Sequence, residues 1–257
     1  MLYPDLISQL FLLPQIRGNW INSLDEDEWI IEVMDGSLGH HHLKVMETIR
    51  QLAPEARLQF SDILDPTNHA STLSRAADRL EAILANENVP HLINCSWSFP
   101  RIPPKVEVDK IKRMRLESFQ EMTYDQVRKF YPSHPAYPFT TLVQEVVRKG
   151  TIMVFAAGNQ GHVAGSQLFP GRIVGANGLP EVITVGALEA SGRRTPTSSY
   201  GPSTFCDHKP DIWAPGEFFL NDKLGIFKGT SAATAAVSGL IATMGRKMQI
   251  EIHETLN

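Results

Sequence analysis

Four polar residues of types used in nucleophilic chemistry each stand at the end of a predicted strand or the start of a predicted helix. Asp35 ends the apolar run WIIEVM, His41 lies in GHHHL before a helical pattern, and Asn159 follows TIMVFAAG. Ser231 follows a Gly-Thr pair and opens a run of small side chains. A serine hydroxyl needs a base to accept its proton, a neutral imidazole is suited to this near pH 7, and a carboxylate fixes the imidazole tautomer.

The stretch GTSAATAAVSGLIA, residues 229–242, admits two interpretations of Ser231. In the first, Thr230 or Ser231 is the N-cap of a buried helix that packs closely on a sheet. In the second, Ser231 is a nucleophile at a helix N-terminus, where free N–H groups favour developing negative charge. The remainder of the chain has to distinguish these interpretations.

Composition restricts the function classes. The chain has 257 residues, is 42% hydrophobic and carries a formal net charge of −4, which does not favour a nucleic-acid or anionic-membrane partner. It has two cysteines, Cys95 and Cys206, too few for a disulfide framework. No stretch is long and apolar enough to span a membrane, and no signal peptide is evident. We therefore predict a cytoplasmic location, free thiols, no nucleic-acid partner and no membrane partner.

Apolar strands alternate with helical patterns along the chain. The predicted strands are WIIEVM, ARLQFSDIL, HLINCSWS, TIMVFAAGN and EVITVGAL, and the predicted helices lie in HLKVMETIRQL, STLSRAADRLEAILANEN and TTLVQEVVRKG. Such alternation is typical of an α/β fold, a three-layer sandwich with a mostly parallel central sheet. We predict one domain over residues 1–257, with residues 1–28 as an N-terminal extension too short for a folded prodomain.

The stretch 101–137 interrupts this alternation. It is bounded by prolines and rich in charge, and it contains RIPPKVEVDKIKRMRLESFQEM. It is too short to bury a core of its own, so we predict a helical insertion over the strand ends. Because open α/β sheets form their sites at the carboxyl ends of the strands, Asp35, residues 94–98, Asn159 and Ser231 are expected at one edge.

Several motifs together resemble the subtilisin-like serine peptidases. GTSAATAAVSG is similar to the family's nucleophile motif, VFAAGNQG to its oxyanion segment, and INCSWS to the strand beside its substrate cleft. HHLKVMETIRQLAPEARL resembles the histidine helix, and KPDIWAPG resembles a segment that precedes the serine. The order Asp, His, Ser is also that of the family. The resemblance covers residues 29 to 245 apart from the insertion and implies a subtilisin-like fold.

The histidine motif departs from the family pattern. The family has His-Gly-Thr, whereas this chain has three consecutive histidines with no glycine after them. Counting back from Ala53-Pro54 places Val45 where the family has a valine, and this register selects His41. His40 or His42 would need a slip of one residue, and the two unused histidines are expected in a solvated loop. Ala235 stands where the family has a proline in the serine helix. Because proline breaks a helical hydrogen bond, its absence should straighten the helix.

The resemblance implies a catalytic triad of Asp35, His41 and Ser231, with the oxyanion bound by Asn159 and the Ser231 backbone N–H. An extended peptide would pair beside Ser96, Trp97 and Ser98, although Trp97 could equally be a packing residue. Cys95 alternates away from these positions and is expected to be buried. Calcium sites are frequent in the family, but no dense Asp/Asn loop occurs here. We predict no metal and no cofactor.

Three functions remain open from the sequence. The first is a serine endopeptidase of narrow specificity that hydrolyses a protein or peptide through an acyl-enzyme. The second, suggested by the altered histidine motif, is a catalytically silent subtilisin-like interaction subunit. The third is a transpeptidase or macrocyclase, in which an amine resolves the acyl-enzyme. The insertion 101–137 is a candidate surface for substrate selection or for a regulatory protein partner.

Overall fold

Helices and strands alternate along the chain as the sequence pattern predicts. The computed structural model describes residues 6, 9–10, 12–17, 29–65, 69–86, 89–98, 137–161, 172–203 and 205–256. The helices are α1 (Pro14–Arg17), α2 (His41–Leu52), α3 (His69–Leu84), α4 (Tyr137–Arg148) and α5 (Thr230–Leu256). The strands are β1 (Ile30–Asp35), β2 (Arg57–Asp62), β3 (Leu92–Cys95), β4 (Ile152–Ala156), β5 (Arg172–Ile173), β6 (Ile183–Leu188), β7 (Tyr200–Ser203), β8 (Ile212–Pro215), β9 (Glu217–Asn221) and β10 (Gly225–Lys228). Single-turn 3₁₀ helices occur at Leu38–His40 and Gly175–Gly178.

The central sheet has six strands in the order β2-β1-β3-β4-β6-β8. Every neighbouring pair in it is parallel. Asp35 at the end of β1 lies opposite Asp62 of β2, and Asn94 of β3 lies opposite Val154 of β4. The carboxyl ends therefore meet at one edge, and the predicted α/β architecture with a mostly parallel sheet is confirmed.

Helices cover both faces of the sheet, because side chains on successive strand positions point to opposite faces. On β4, Ile152 and Val154 join a buried cluster that includes residues of α2 and α5. Met153 and Phe155 join a second cluster with residues of α3 and α4. These two cores make the molecule a three-layer sandwich.

Helix α5 is buried along most of its first half, and this explains its small side chains. Residues 230–242 are all buried. A Cβ on Gly239 would lie 2.9 Å from Leu52 Cβ, which is closer than side chains tolerate. The helix runs unbroken through Ala235. Small residues thus let α5 approach both the sheet and α2.

The N-terminal extension contributes to the core in the part that is described. Leu10 and Ile16 are fully buried in the cluster on the α2 and α5 side. The Gln15 side chain donates to the Pro180 carbonyl at 2.7 Å. The insertion at 101–137 lies outside the described residues except for Tyr137, where α4 begins, and the single-domain assignment stays a prediction. No helix among the described residues is long and apolar enough to cross a membrane.

A buried carboxylate in β1 is paired with an arginine from α3. Glu32 is 0% exposed and accepts two hydrogen bonds from the Arg79 guanidinium, at 2.8 and 2.9 Å. The Ser61 hydroxyl also donates to Glu32. The hydrogen bond to Glu32 raises the pKa of Arg79. This bidentate pair fastens α3 to the strand that ends at Asp35.

Replacing Arg79 should destabilise the fold because it leaves Glu32 buried without a counter-charge. We expect Arg79→Met to lower the free energy of unfolding by about 2 kcal/mol, less than for a fully buried pair because the guanidinium is 35% exposed. Arg75→Met on the same helix is the matched control, since its 3.6 Å contact with Asp65 is half exposed. Urea unfolding measures both. Equal losses of unfolding free energy in the two variants would contradict this account.

Candidate active site

A carboxylate and an imidazole are hydrogen-bonded at the carboxyl edge of the sheet. Asp35 is 0% exposed, and its Oδ2 lies 2.8 Å from His41 Nδ1. The Gly36 backbone N–H donates to the other carboxylate oxygen at 2.7 Å. With a carboxylate as its acceptor, His41 Nδ1 carries the proton, and Nε2 is the nitrogen left to accept one. The buried carboxylate thus fixes the orientation of the His41 ring.

The short spacing between Asp35 and His41 is bridged by one tight turn. The 3₁₀ turn Leu38–His40 follows the strand, with Gly39 and His40 both in the left-handed region, at φ 67° and 59°. Helix α2 then begins at His41. This turn brings the imidazole back onto the carboxylate without an intervening loop.

The other two histidines differ in their surroundings. His40 is exposed, as expected for a solvated residue. His42 lies within α2 and stacks on Phe60, with ring centroids 4.5 Å apart, and its Nδ1 is buried without a hydrogen-bond partner. The expectation of a solvated loop is therefore wrong for His42, because the helix begins one residue before it.

Ser231 lies in the first turn of α5 and is 7% exposed. Its hydroxyl donates to the Ser96 carbonyl at 2.8 Å. The cap of the helix comes from Asn159, whose Oδ1 accepts the Thr230 backbone N–H at 2.9 Å and the Thr230 hydroxyl at 3.0 Å. The Ser231 hydroxyl is thus not needed as the cap.

Asn159 is oriented by the same two hydrogen bonds. Because Thr230 occupies the Oδ1 end, the amide nitrogen is the end left to donate elsewhere. Asn159 itself is exposed, and it follows β4 after the buried residues Ala157 and Gly158. The first N–H groups of α5, including that of Ser231, have no partner within the helix. Two kinds of N–H donor therefore occur at the N-terminal end of α5, where Ser231 lies.

The segment after β3 is built into the core. The Trp97 indole N–H donates to the Met34 carbonyl at 2.9 Å, and its ring packs near Phe139 and Phe155. Ser96 is 2% exposed, and Ser98 is partly exposed. Of the two interpretations of Trp97, the side chain takes the packing role. The backbone of this segment as a peptide-binding edge stays a prediction.

Comparison with known proteins gives the family. The profile of the Subtilase family matches residues 35–255. The chain belongs to the subtilase family. Subtilisin-like protease 2 of Trichophyton verrucosum and of Arthroderma benhamiae are each 34% identical to it over 111 residues. That match covers 41% of this chain and 23% of each relative, so the chain aligns with about a quarter of their length.

Solved structures show the same fold. The patellamide maturation protease PatG has a TM-score of 0.54 at 13% identity, covering 93% of this chain and 82% of PatG. The epidermin leader peptide processing serine protease EpiP of Staphylococcus aureus has a TM-score of 0.53 at 16% identity, covering 96% of this chain and 72% of EpiP. At these identities the likeness concerns the fold.

Thr230 and Asn177 also organise the subtilase site, through contacts that sequence reasoning did not predict. The Thr230 hydroxyl accepts the Gly158 backbone N–H at 3.2 Å. Asn177 is 1% exposed, and its Nδ2 donates to the carbonyls of Trp97 and Ala156, at 3.1 and 2.6 Å. Thr230 stands in the Gly-Thr-Ser motif, which offered a signal. Asn177 lies in GANG, where no pattern shows its distant partners.

The part of the chain that the structure describes has no cluster of side chains suited to metal coordination. Within those ranges, no group of three or more His, Cys, Asp or Glu side chains could hold a metal ion. Independence from metals stays a prediction for this subtilase.

Gly229 should be required for the position of Asn159. Its φ is 94°, and a Cβ there would lie 2.8 Å from Asn159 Oδ1. We expect Gly229→Ala to lower stability by about 1–2 kcal/mol through backbone strain and to push the Asn159 amide away from Thr230. A crystal structure of the variant and thermal unfolding measure the two effects.

Gly225→Ala is the matched control. Its φ is 65°, and no heavy atom lies within 4 Å of the position that the alanine methyl would take, so this variant should carry strain alone. An unmoved Asn159 in Gly229→Ala would contradict the prediction.

Proposed function

We propose that this subtilase is a serine endopeptidase that hydrolyses peptide bonds through an acyl-enzyme. The observation that carries the proposal is the 2.8 Å hydrogen bond between buried Asp35 and His41, at the sheet edge where the first turn of α5 holds Ser231. This pair supplies the oriented base that an otherwise weak serine nucleophile needs. The altered histidine motif therefore does not by itself argue for a silent subunit.

The proposed reaction has two stages, in which the acyl group is transferred first to Ser231 and then to water. His41 Nε2 takes the Ser231 proton as Oγ bonds to the substrate carbonyl carbon, and the oxyanion accepts hydrogen bonds from Asn159 Nδ2 and the Ser231 backbone N–H. His41 then gives the proton to the leaving amine as the C–N bond breaks. Water, deprotonated by the same imidazole, then attacks the ester carbonyl carbon; the bond from that carbon to Ser231 Oγ breaks, the imidazolium returns its proton to Oγ, and the acid is released. In the first step the Ser231 hydroxyl must turn from the Ser96 carbonyl towards His41.

Narrow specificity for a protein or peptide is part of the proposal. The names of two neighbours of this fold, a patellamide maturation protease and an epidermin leader peptide processing serine protease, are compatible with it. A transpeptidase or macrocyclase would share every residue up to the acyl-enzyme and differ in the final acceptor. Product mass distinguishes the two, because hydrolysis adds water and transfer to an amine does not.

Ser231→Ala should abolish covalent labelling by a fluorophosphonate probe, because the probe reacts with an activated serine. Peptide hydrolysis should be lost with it, while thermal unfolding stays close to that of the wild type. Labelling is followed by in-gel fluorescence and intact mass. A wild-type chain that folds and takes up no probe would support the silent subunit instead. Undiminished labelling of the variant would exclude Ser231 as the nucleophile.

His41→Ala should be nearly as unreactive as the serine variant, because it removes the imidazole that is hydrogen-bonded to Asp35. His40→Ala should label at the wild-type rate, since His40 is exposed. His42→Ala should also label but unfold at a lower temperature, because it loses the stacking on Phe60. Labelling rates for the three variants decide the register. An essential His40 with a dispensable His41 would show that the alignment is wrong by one residue.

We further propose that the segment 101–137 selects the substrate or binds a regulatory protein. It follows the predicted peptide-binding edge in the sequence, which supports a role in recognition. Replacing residues 103–134 with a short Gly/Ser linker should leave probe labelling of Ser231 intact and sharply reduce cleavage of the natural protein substrate. Unchanged cleavage would show that the segment has no role, and lost labelling in a folded variant would place it in the catalytic assembly.

A cytoplasmic location is the remaining part of the proposal. Neither cysteine forms a disulfide bond, and burial raises the pKa of the Cys95 thiol well above its ordinary value. This is compatible with a reducing compartment, and fractionation of cells is the direct measurement.

A further inference from the structure

A chain of buried hydrogen bonds runs from the middle of α5 back to its first turn. The Ser238 hydroxyl donates to Asn94 Oδ1 at 2.9 Å, and Asn94 Nδ2 donates to the Ser96 hydroxyl at 3.0 Å. The Ser96 hydroxyl donates to the Ser231 carbonyl at 3.1 Å. Ser238 and Asn94 are fully buried, and Ser96 and Ser231 are 2% and 7% exposed. Water does not substitute easily for any bond in such a chain.

The last link of this hydrogen-bond chain consists of two hydrogen bonds between Ser96 and Ser231. The Ser96 hydroxyl bonds to the Ser231 carbonyl, and the Ser96 carbonyl accepts the Ser231 hydroxyl at 2.8 Å. A shift of Ser96 therefore moves the acceptor that holds the nucleophilic oxygen and also the peptide unit at the start of α5. Misplacement of reacting atoms by about 1 Å can slow a reaction up to about 100-fold.

Ser238 sets which end of the Asn94 amide faces Ser96. The oxygen and nitrogen ends of an amide have nearly the same shape, so hydrogen-bond partners decide its orientation. Without the Ser238 hydroxyl, Asn94 Oδ1 would be a buried acceptor with no partner, which is unfavourable. A flipped amide would present its oxygen to Ser96, and the Ser96 hydroxyl would then donate to Asn94 instead of to the Ser231 carbonyl.

We propose that Ser238 and Asn94 are positioning residues for Ser231, which they orient through Ser96. The proposal rests on the serine peptidase function argued above. It adds two residues that are buried, that contact no substrate, and that come from β3 and from the third turn of α5. Their role is to keep the start of α5 in register with the strand end beside it.

The test is the rate of fluorophosphonate labelling of Ser238→Ala. We expect the rate at saturating probe to fall about tenfold, with an unchanged half-saturating concentration, because the probe still binds and the attack is slower. Thr243→Val is the matched control, since Thr243 lies on the same helix and its hydroxyl donates to the Leu52 and Gly239 carbonyls, away from Ser96. The Thr243→Val variant should be less stable than the wild type but should be labelled at the wild-type rate.

A double-mutant cycle separates positioning from general destabilisation. If Ser238 acts through Ser96, adding Ser238→Ala to Ser96→Ala should slow labelling no further. If the double variant labels more slowly by the product of the two single-variant reductions, the proposal is overturned. If Ser238→Ala does not fold, Ser238→Cys keeps a weak donor and should fold with an intermediate rate.

The two proposals fail in different ways. A folded wild-type chain that takes up no probe would remove the serine peptidase function itself. A reactive wild-type chain with an equally fast Ser238→Ala, or Ser238→Cys where the alanine variant does not fold, would remove only the positioning role.

Discussion

The close approach of α5 to the central sheet is the constraint on which the rest of the structure depends. Residues 230–242 of the helix are buried, and Gly239 leaves no room for a larger side chain against Leu52 of α2. The packing of α5 against the sheet brings the N-terminus of the helix to the carboxyl ends of β3 and β4. Ser231 can then meet the backbone of Ser96, and Thr230 can meet Asn159.

The two buried carboxylates of β1 are each provided with hydrogen-bond donors. Asp35 is fully buried, yet its two oxygens face the His41 ring and the Gly36 N–H. An ionised carboxylate without such donors would be strongly unfavourable in this position. The same reasoning applies to Glu32, three residues earlier on β1, which is neutralised by Arg79. Strand β1 thus carries two buried acids, one in the candidate site and one that secures α3.

The turn between β1 and α2 shows how the subtilase arrangement accommodates an altered histidine motif. Gly39 and His40 take left-handed backbone angles, and His41 then opens the helix. A tight turn replaces a loop, and the imidazole still reaches the carboxylate. The three histidines have distinct positions as a result: one is exposed, one bonds to Asp35, and one stacks on Phe60.

Hydrophobic periodicity and motif order were sufficient to predict the fold class, the parallel sheet and the edge at which polar residues gather. These features are local or follow from general rules of βα alternation. The side-chain partners could not be predicted, because they join residues far apart in sequence. Ser238 and Asn94 are separated by 144 positions, and Asn177 and Trp97 by 80. Only the packing of α5 and the strand ends against one another decided that these polar groups meet, since each had to find a partner once it was buried.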